Sequence, residues 1–470
     1  MKTDAKSKTV FEATGAAGST VTVFPVPDEE VAPRDLEMTV DGTPVGVYCQ
    51  RLGCADGHSY FASFDTDAEE VEVRIASKRS LAHVKVLPRS AGIAPCVDGD
   101  TMTFKAKPPF QLSIERDGRN SALALFANRP ERDAPKPGDP GVIYFGPGVH
   151  KPERVDVNSG QTVYLAGGAV VKGGIVASGT NIAIRGRGVL CGADWPGTRG
   201  GPTPYPISIN GATNVVVEGI TVRCSWGWTV VAKNCDGLVI DNLKICCANM
   251  ICDDGIDLVN TRHVVIRNTF VRTMDDCICA KGMDPGVDAE WRALGQPCED
   301  IEVSNCVLWS DAANVFRIGF ESMAQAMRRI RVCDIDVIHL SAVVRDVSHF
   351  YANCAVNLQP TRGMPMSDLI FEDIRFDDVP EHSVLIKAHL DRCSFDGQRD
   401  TTTGSLSGCV FRNFSFPPGV DGGVISLLGA GPANTIENVA FENIGPHRDM
   451  RIGDSPKNIR IETVPTVSHP

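Results

Sequence analysis

From residue 21 to about 128 the chain alternates apolar and polar positions in short runs: VTVFPV (21–26), EVEVRI (70–75), HVKVLP (83–88) and QLSIE (111–115), parted by turn residues. Alternate side chains of a strand share one face, so short half-apolar strands at close intervals predict an antiparallel β-sandwich. In RPERDAPKPGDPG (129–141), Pro130, Pro135, Pro137 and Pro140 then forbid helix and central strand alike. The domain boundary is placed there. It gives an N-terminal sandwich unit with its Pro-rich linker over 1–140 and a second unit over 141–470.

Beyond the linker the rhythm changes. NIAIRG (181–186), NVVVEG (214–219), GLVIDN (237–242), HVVIRN (263–268), DIEVSN (300–305), RIRVCD (329–334), DLIFED (368–373), CVFRN (409–413) and VAFEN (439–443) each end in Gly, Asn or Asp, at points 23 to 40 residues apart. Other short strands fall between them, among them WTVVA (228–232), GIDLV (255–259), CICAK (277–281) and VFRIG (315–319). The shortest intervals define a unit of about 22 to 26 residues with two or three strands and no amphipathic helix. That unit predicts a right-handed parallel β-helix with one coil per unit, since a propeller blade needs about 40 residues and four strands. Gly and Asn at the strand ends suit tight corners, where φ is positive. The expected fold class is all-β, a parallel β-helix preceded by a sandwich that caps its first coil.

Composition narrows the function classes. Of 470 residues, 43% are hydrophobic and 22% charged, which excludes wholesale disorder. The net charge is −12 without a Lys/Arg block, so no nucleic-acid partner is expected. No run of eighteen apolar residues occurs, so no membrane partner is expected either. The start MKTDAKSKTV lacks an apolar signal core. The expected location is therefore cytoplasmic, or secreted if a leader has been removed. The 17 cysteines show no disulfide framework and read as reduced, mostly buried thiols. Cys224, Cys246, Cys306 and Cys333 fall at corresponding points of the repeat and predict an interior stack. Cys246, Cys247, Cys252, Cys277 and Cys279 invite a zinc site but lack paired CxxC spacing and a close His. No cofactor is expected, and the oligomeric state is not legible.

The stretch CDDGIDLVNTRHVVIRNTFVRTMDDCICAKG (252–282) carries the candidate chemistry. Asp254 and Asp275 lie 21 residues apart. That is close to one coil, so they are expected to stack about 4.8 Å apart with Asp276 beside them. Crowded carboxylates cannot all ionise freely, and a protonated acid beside an ionised base is what glycoside hydrolysis requires. Two plainer readings stand beside this one. Asp caps turns through its own backbone, and clustered carboxylates suit calcium, although the chain lacks a DxDxDG loop.

GPGVH (146–150), VYLAGGAVVKGGI (163–175), SWGWTV (225–230), DGID (254–257) and DDCICAKG (275–282) resemble the β-helical glycoside hydrolases. These are the polygalacturonases of family 28 and the dextranases and isopullulanases of family 49. The resemblance spans about residues 141–450, and a sandwich ahead of the helix is similar to family 49. It implies that Asp275 protonates the leaving oxygen while Asp254 and Asp276 act on water, with inversion at the anomeric carbon. Cys252-Asp253-Asp254 stands where polygalacturonases carry NTD, and their GHG and RIK motifs are missing, which argues for a neutral, α-linked glycan. Trp226 and Trp228, expected on one strand face, are candidate sugar contacts with Asp257, Lys281, Arg317 and Glu321. The alternatives are a polygalacturonase-like hydrolase of uronate glycans, a polysaccharide lyase and a non-catalytic carbohydrate-binding β-helix.

Overall fold

In the computed structural model, which describes residues 10–14, 19–30, 35–53, 57–194, 203, 205–282, 296–320, 322, 324–341, 343, 345–349, 352–361, 363–390, 403–431 and 434–462, the alternating runs of the first unit form two facing sheets. One orders Thr43–Pro44, Leu36–Val40, Val71–Ser77, Thr101–Ala106 and Cys96–Asp98. The other orders Phe11–Thr14, Thr20–Val23, His58–Thr66, Leu123–Asn128, Phe110–Glu115 and Lys85–Leu87, with Tyr48–Arg51 also on His58–Thr66. Every second residue turns inward, as with Val71, Val73 and Ile75, and packs on Met38, Phe64, Met102 and Leu125. One pair departs from the antiparallel expectation: Leu123–Asn128 runs parallel to His58–Thr66. Leu123–Asn128 is buried at every residue, the condition under which parallel strands persist, because its second face is covered by the β-helix.

From Val142–Phe145 to Lys457–Glu462 the chain forms one continuous parallel ladder. Early coils have three strands, such as Thr213–Glu218, Thr221–Arg223 and Val230–Lys233, which pair with Asp236–Asp241, Lys244–Cys246 and Ile256–Val259 of the next coil. In later coils the first two strands fuse, as in Cys298–Ser310 and Met327–His339. Left-handed residues stack at the corner after the first strand: Asn242 (φ 55), Asn268 (φ 52), Asn305 (φ 49) and Asn443 (φ 51). Their amides form a ladder in which Asn305 Nδ2 donates to Asn268 Oδ1 at 2.7 Å and Asn443 Nδ2 to Asn413 Oδ1 at 2.9 Å.

Inside the helix run columns of Val, Ile and Leu together with Cys235, Cys247, Cys277, Cys298, Cys306 and Cys409. Of the four thiols expected in that stack only Cys306 belongs to it. Cys224 and Cys246 face the sandwich, and Cys333 accepts from Arg331 Nη1 at 3.1 Å. None of the described cysteines is in a disulfide. Nor is any helix among the described residues long and apolar enough to cross a membrane.

The sandwich does not cap the first coil. Tyr48, Phe61, Leu87 and Phe126 pack on Val170, Val189, Cys246, Phe270, Trp309 and Ile338, which belong to successive coils, so it lies along the flank of the helix. Buried ion pairs fasten the seam: Arg187–Asp65 at 2.8 Å, Lys172–Glu30 at 3.0 Å, and Arg223 on Glu30.

Candidate active site

The DDGID turn is shaped by the coil beneath it. After Lys244–Cys246 the chain leaves the ladder and re-enters at Ile256, which pairs with Ile278. A Cβ on Gly255 would lie 2.4 Å from the Cys277 carbonyl oxygen, so only glycine lets the two coils close here. Carried two positions back, the same register sets Asp254 level with Asp276 and Asp253 level with Asp275. The spacing of 21 residues had paired Asp254 with Asp275. The true repeat here is one residue longer, so Asp254 stacks on Asp276 and the Asp275 carboxyl joins them from the neighbouring position.

One carboxylate oxygen from each of Asp254, Asp275 and Asp276 lies within 4.8 Å of the others. Asp254 Oδ2 is 3.1 Å from Lys281 Nζ, which also lies 2.9 Å from Asp257 Oδ1. Asp276 Oδ1 accepts from the Asn314 backbone N–H at 2.9 Å and its Nδ2 at 2.6 Å, while Asp276 Oδ2 stands 3.8 Å from Arg317 Nη1. Cys279 Sγ is 3.7 Å from both Asp254 Oδ2 and Asp276 Oδ2, so these two oxygens flank the buried Cys279 thiol. Asp275 differs from both. Its Oδ1 accepts from the Asp276 N–H and its Oδ2 from the Cys252 N–H, each at 3.0 Å, and it alone of the three is half-exposed. Asp254 and Asp276 are each 3% exposed, so of the 275–276 pair only Asp275 reaches solvent.

Burial, then the Asp276 charge, push the Asp275 carboxyl up to about 6 against the pull of Lys281, Arg317 and the Cys252 N–H. Burial also raises Asp254 well above the usual carboxylate range, although Lys281 draws it back. The site thus favours a proton on at least one of its carboxyls near neutral pH. As a metal site, the group Asp254, Asp257 and Cys279 already holds a cation, the Lys281 ammonium. The three carboxylates of the main cluster are hard oxygen ligands that could take a divalent ion. The five cysteines weighed for zinc do not gather: Cys247 and Cys277 lie in the helix core, Cys246 faces the sandwich, and Cys252 is exposed.

Of the expected sugar contacts, Asp257, Lys281 and Arg317 come together with the cluster; Glu321 lies outside the described residues. The two tryptophans do not share a strand face, because Ser225–Trp228 bends before the strand begins at Val230. Trp226 Nε1 donates to the Gly192 carbonyl at 2.9 Å. Trp228 stacks with Tyr205 at 5.6 Å and lies 3.7 Å beneath Lys281 Nζ, so its ring steadies the lysine. Sequence reasoning passed over Asn314 and Asp253. Asn314 stands one coil below Asp276, immediately before VFRIG, and the repeat could have shown it. Asp253 is 0% exposed. Its Oδ2 accepts from the Ala248 and Asn249 N–H groups at 2.9 and 3.0 Å, and its Oδ1 from Met274 and Asp275 at 2.6 and 3.3 Å. Burial pushes its carboxyl up to about 8 against those donors.

Comparison with known proteins bears on this geometry. Residues 156–289, the segment that holds all three carboxylates, match the family model described as Glycosyl hydrolases family 28. No curated protein matches the sequence. Among solved structures, Dex49A from Penicillium minioluteum aligns with a TM-score of 0.69 at 15% identity, over 97% of this chain and 100% of that one. A hyperthermoactive exopolygalacturonase from Thermotoga maritima aligns with a TM-score of 0.52 at 16% identity, over 68% of this chain and 84% of that one. A family 28 exopolygalacturonase from Yersinia enterocolitica gives 0.50 at 15% identity, over 98% and 99%. In the fold of its whole length, and in the sequence of the segment bearing Asp254, Asp275 and Asp276, the chain is similar to the β-helical glycoside hydrolases.

Proposed function

We propose that the protein is an inverting glycoside hydrolase acting on an α-linked glycan of neutral sugars. The observation that carries this reading is the division of labour in the cluster: a half-buried carboxyl held up at about 6 has an oxygen within 4.8 Å of those of two fully buried ones. Asp275, at the mouth, gives its proton to the leaving glycosidic oxygen. Asp254 and Asp276 hold a water between them and take its proton as it attacks from the other side. Lys281, 3.1 Å from Asp254, and Arg317, 3.8 Å from Asp276, set positive charge beside the two groups that take the water's proton.

Neutral sugars follow from where the positive charge is spent. Lys281 is shared by Asp254 and Asp257, and Arg317 lies between Asp276 and Gln359 Oε1 at 3.0 Å, so neither faces a uronate without a protein partner. A second reading, retention through a covalent intermediate on Asp254, draws on the closeness of the carboxylates: oxygens that all lie within 4.8 Å of one another suit the retaining separation of about 5–5.5 Å better than the inverting one of about 6.5–9.5 Å. The free thiols suit a reducing compartment, and we place the reaction there.

The test is product chromatography of the purified protein and its Asp275→Asn variant on dextran, pullulan, polygalacturonate and α-galactosides. Reducing sugars from a neutral α-glycan with the parent alone are expected. Activity confined to polygalacturonate, unsaturated products, or equal turnover by the variant contradicts the reading.

A further inference from the structure

A second groove lies on the other flank of the sandwich. It encloses about 540 Å³ between Pro109, Phe110 and Pro130 of the sandwich side and the β-helix corner that carries Glu218, Asn242, Asn268 and Asn305. The carboxylate cluster opens at the far end of the short strand Phe270–Thr273 from that corner. Phe270 of this strand packs edge-on under Phe126 of the sandwich, with ring centroids 5.2 Å apart. The sandwich therefore stands between the two openings, and it reaches the cluster side through the Gly53 N–H, 3.1 Å from the Ala248 carbonyl.

We propose that this groove binds a stretch of neutral glycan, separately from the carboxylate cluster. Its helix wall is a ladder of side-chain amides. Asn268 gives one N–H to Asp241 Oδ1 and accepts one from Asn305, each at 2.7 Å. A carboxamide has two donors and two lone pairs, so Asn268 keeps one of each for a pair of vicinal hydroxyls. Successive rungs are one coil apart, about 4.8 Å, close to the length one pyranose adds to a chain. The facing wall of Phe110, Pro109 and Pro130 supplies the apolar surface on which a pyranose face packs.

The charges select the ligand class. Four arginines line the groove with Glu131, Glu218 and Asp241: Arg187 is neutralised by Asp65 at 2.8 Å, Arg185 faces Glu218 at 3.8 Å, and Arg129 gives its guanidinium N–H groups to the Ala68 and Pro108 carbonyls, so most of the positive charge is held by the protein itself rather than left for a polyanion. A volume of about 540 Å³ lies within the range of oligosaccharide-sized sites. A polymer held here while another segment of it enters the cluster gains effective concentration without any new contact at the reacting bond.

The experiment is affinity electrophoresis of the full-length Asp275→Asn protein through gels containing dextran, pullulan or polygalacturonate. It reads binding alone, so its failure and a failure of hydrolysis are distinguishable. Retardation by a neutral polymer is expected. Two further changes are added to Asp275→Asn: Asn268→Gly, which removes a rung while tolerating φ of 52, and the exposed Arg132→Ala on the groove rim. Each should weaken retention, Asn268→Gly by about tenfold, the loss of one or two hydrogen bonds to sugar. Equal retention by both variants, no retention by either neutral polymer, or retention by polygalacturonate alone overturns the proposal.

Discussion

Cys252 gives its backbone N–H to Asp275 Oδ2 at 3.0 Å, so the turn that leads into Asp254 also aims the carboxyl of the coil below. The same turn is fixed by Asp253, whose two oxygens tie the N–H groups of Ala248 and Asn249 to those of Met274 and Asp275. The turn that carries Asp254 and the start of the one that carries Asp275 are therefore both tied by one fully buried carboxylate.

Asp253→Asn turns an amide NH2 toward backbone donors and loosens both coils. A misplacement of about 1 Å at the reacting groups costs about 100-fold in rate, so kcat should fall by that order with KM little changed. The pH profile should also shift, since Asp275 loses its fixed partners. A variant that merely unfolds more easily, with kcat and pH profile of the remaining folded protein unchanged, would assign Asp253 a stabilising role only.

The pH dependence has a definite sign. Asp275 must carry its proton to act as the acid, and its carboxyl lies up at about 6, so the rate should fall as pH rises through about 6. The Arg317 charge holds that value down. Arg317→Gln should therefore move the alkaline limb to higher pH, along with a lower kcat from the weakened hold on Asp276. An alkaline limb that stays in place or moves down would remove Asp275 from the acid's role.

The sandwich is expected to matter for activity as well as for solubility. A Cβ on Gly53 would fall 1.4 Å from the Asn249 carbonyl oxygen, within the turn that Asp253 secures. Gly53→Ala should thus lower kcat while circular dichroism still reports a folded β-protein. Removing residues 1–140 bares the apolar seam at Phe270, Trp309 and Ile338 and should give insoluble protein. A soluble, fully active fragment would contradict this account of the seam.

The sequence shows the coils because each ends on a residue that tolerates a left-handed backbone, and Asn242, Asn268 and Asn305 do so in the structure. The cluster is legible because DDGID and DDCICAKG flank the same coil. Its register is not: Cys246 pairs with Arg272 but Ile256 with Ile278, so the turn before Ile256 is longer than the one that follows it a coil later, and spacing alone does not show where the two turns differ. The Trp pair misleads because Gly227 and its neighbours bend where alternation would have continued a strand. The flank position of the sandwich is hidden in LALFAN (123–128), whose unbroken apolar run reports two buried faces without naming what covers the second.

The central claim is that Asp275 protonates the leaving oxygen while water held by Asp254 and Asp276 attacks the opposite face. Proton NMR of the anomeric region during the first minutes of hydrolysis tests it most directly. An α-linked glycan should release the β anomer first, with the α anomer growing in only by mutarotation, and the Asp275→Asn protein should release neither. The α anomer appearing first would mean a covalent intermediate and would contradict the roles assigned to Asp254 and Asp276.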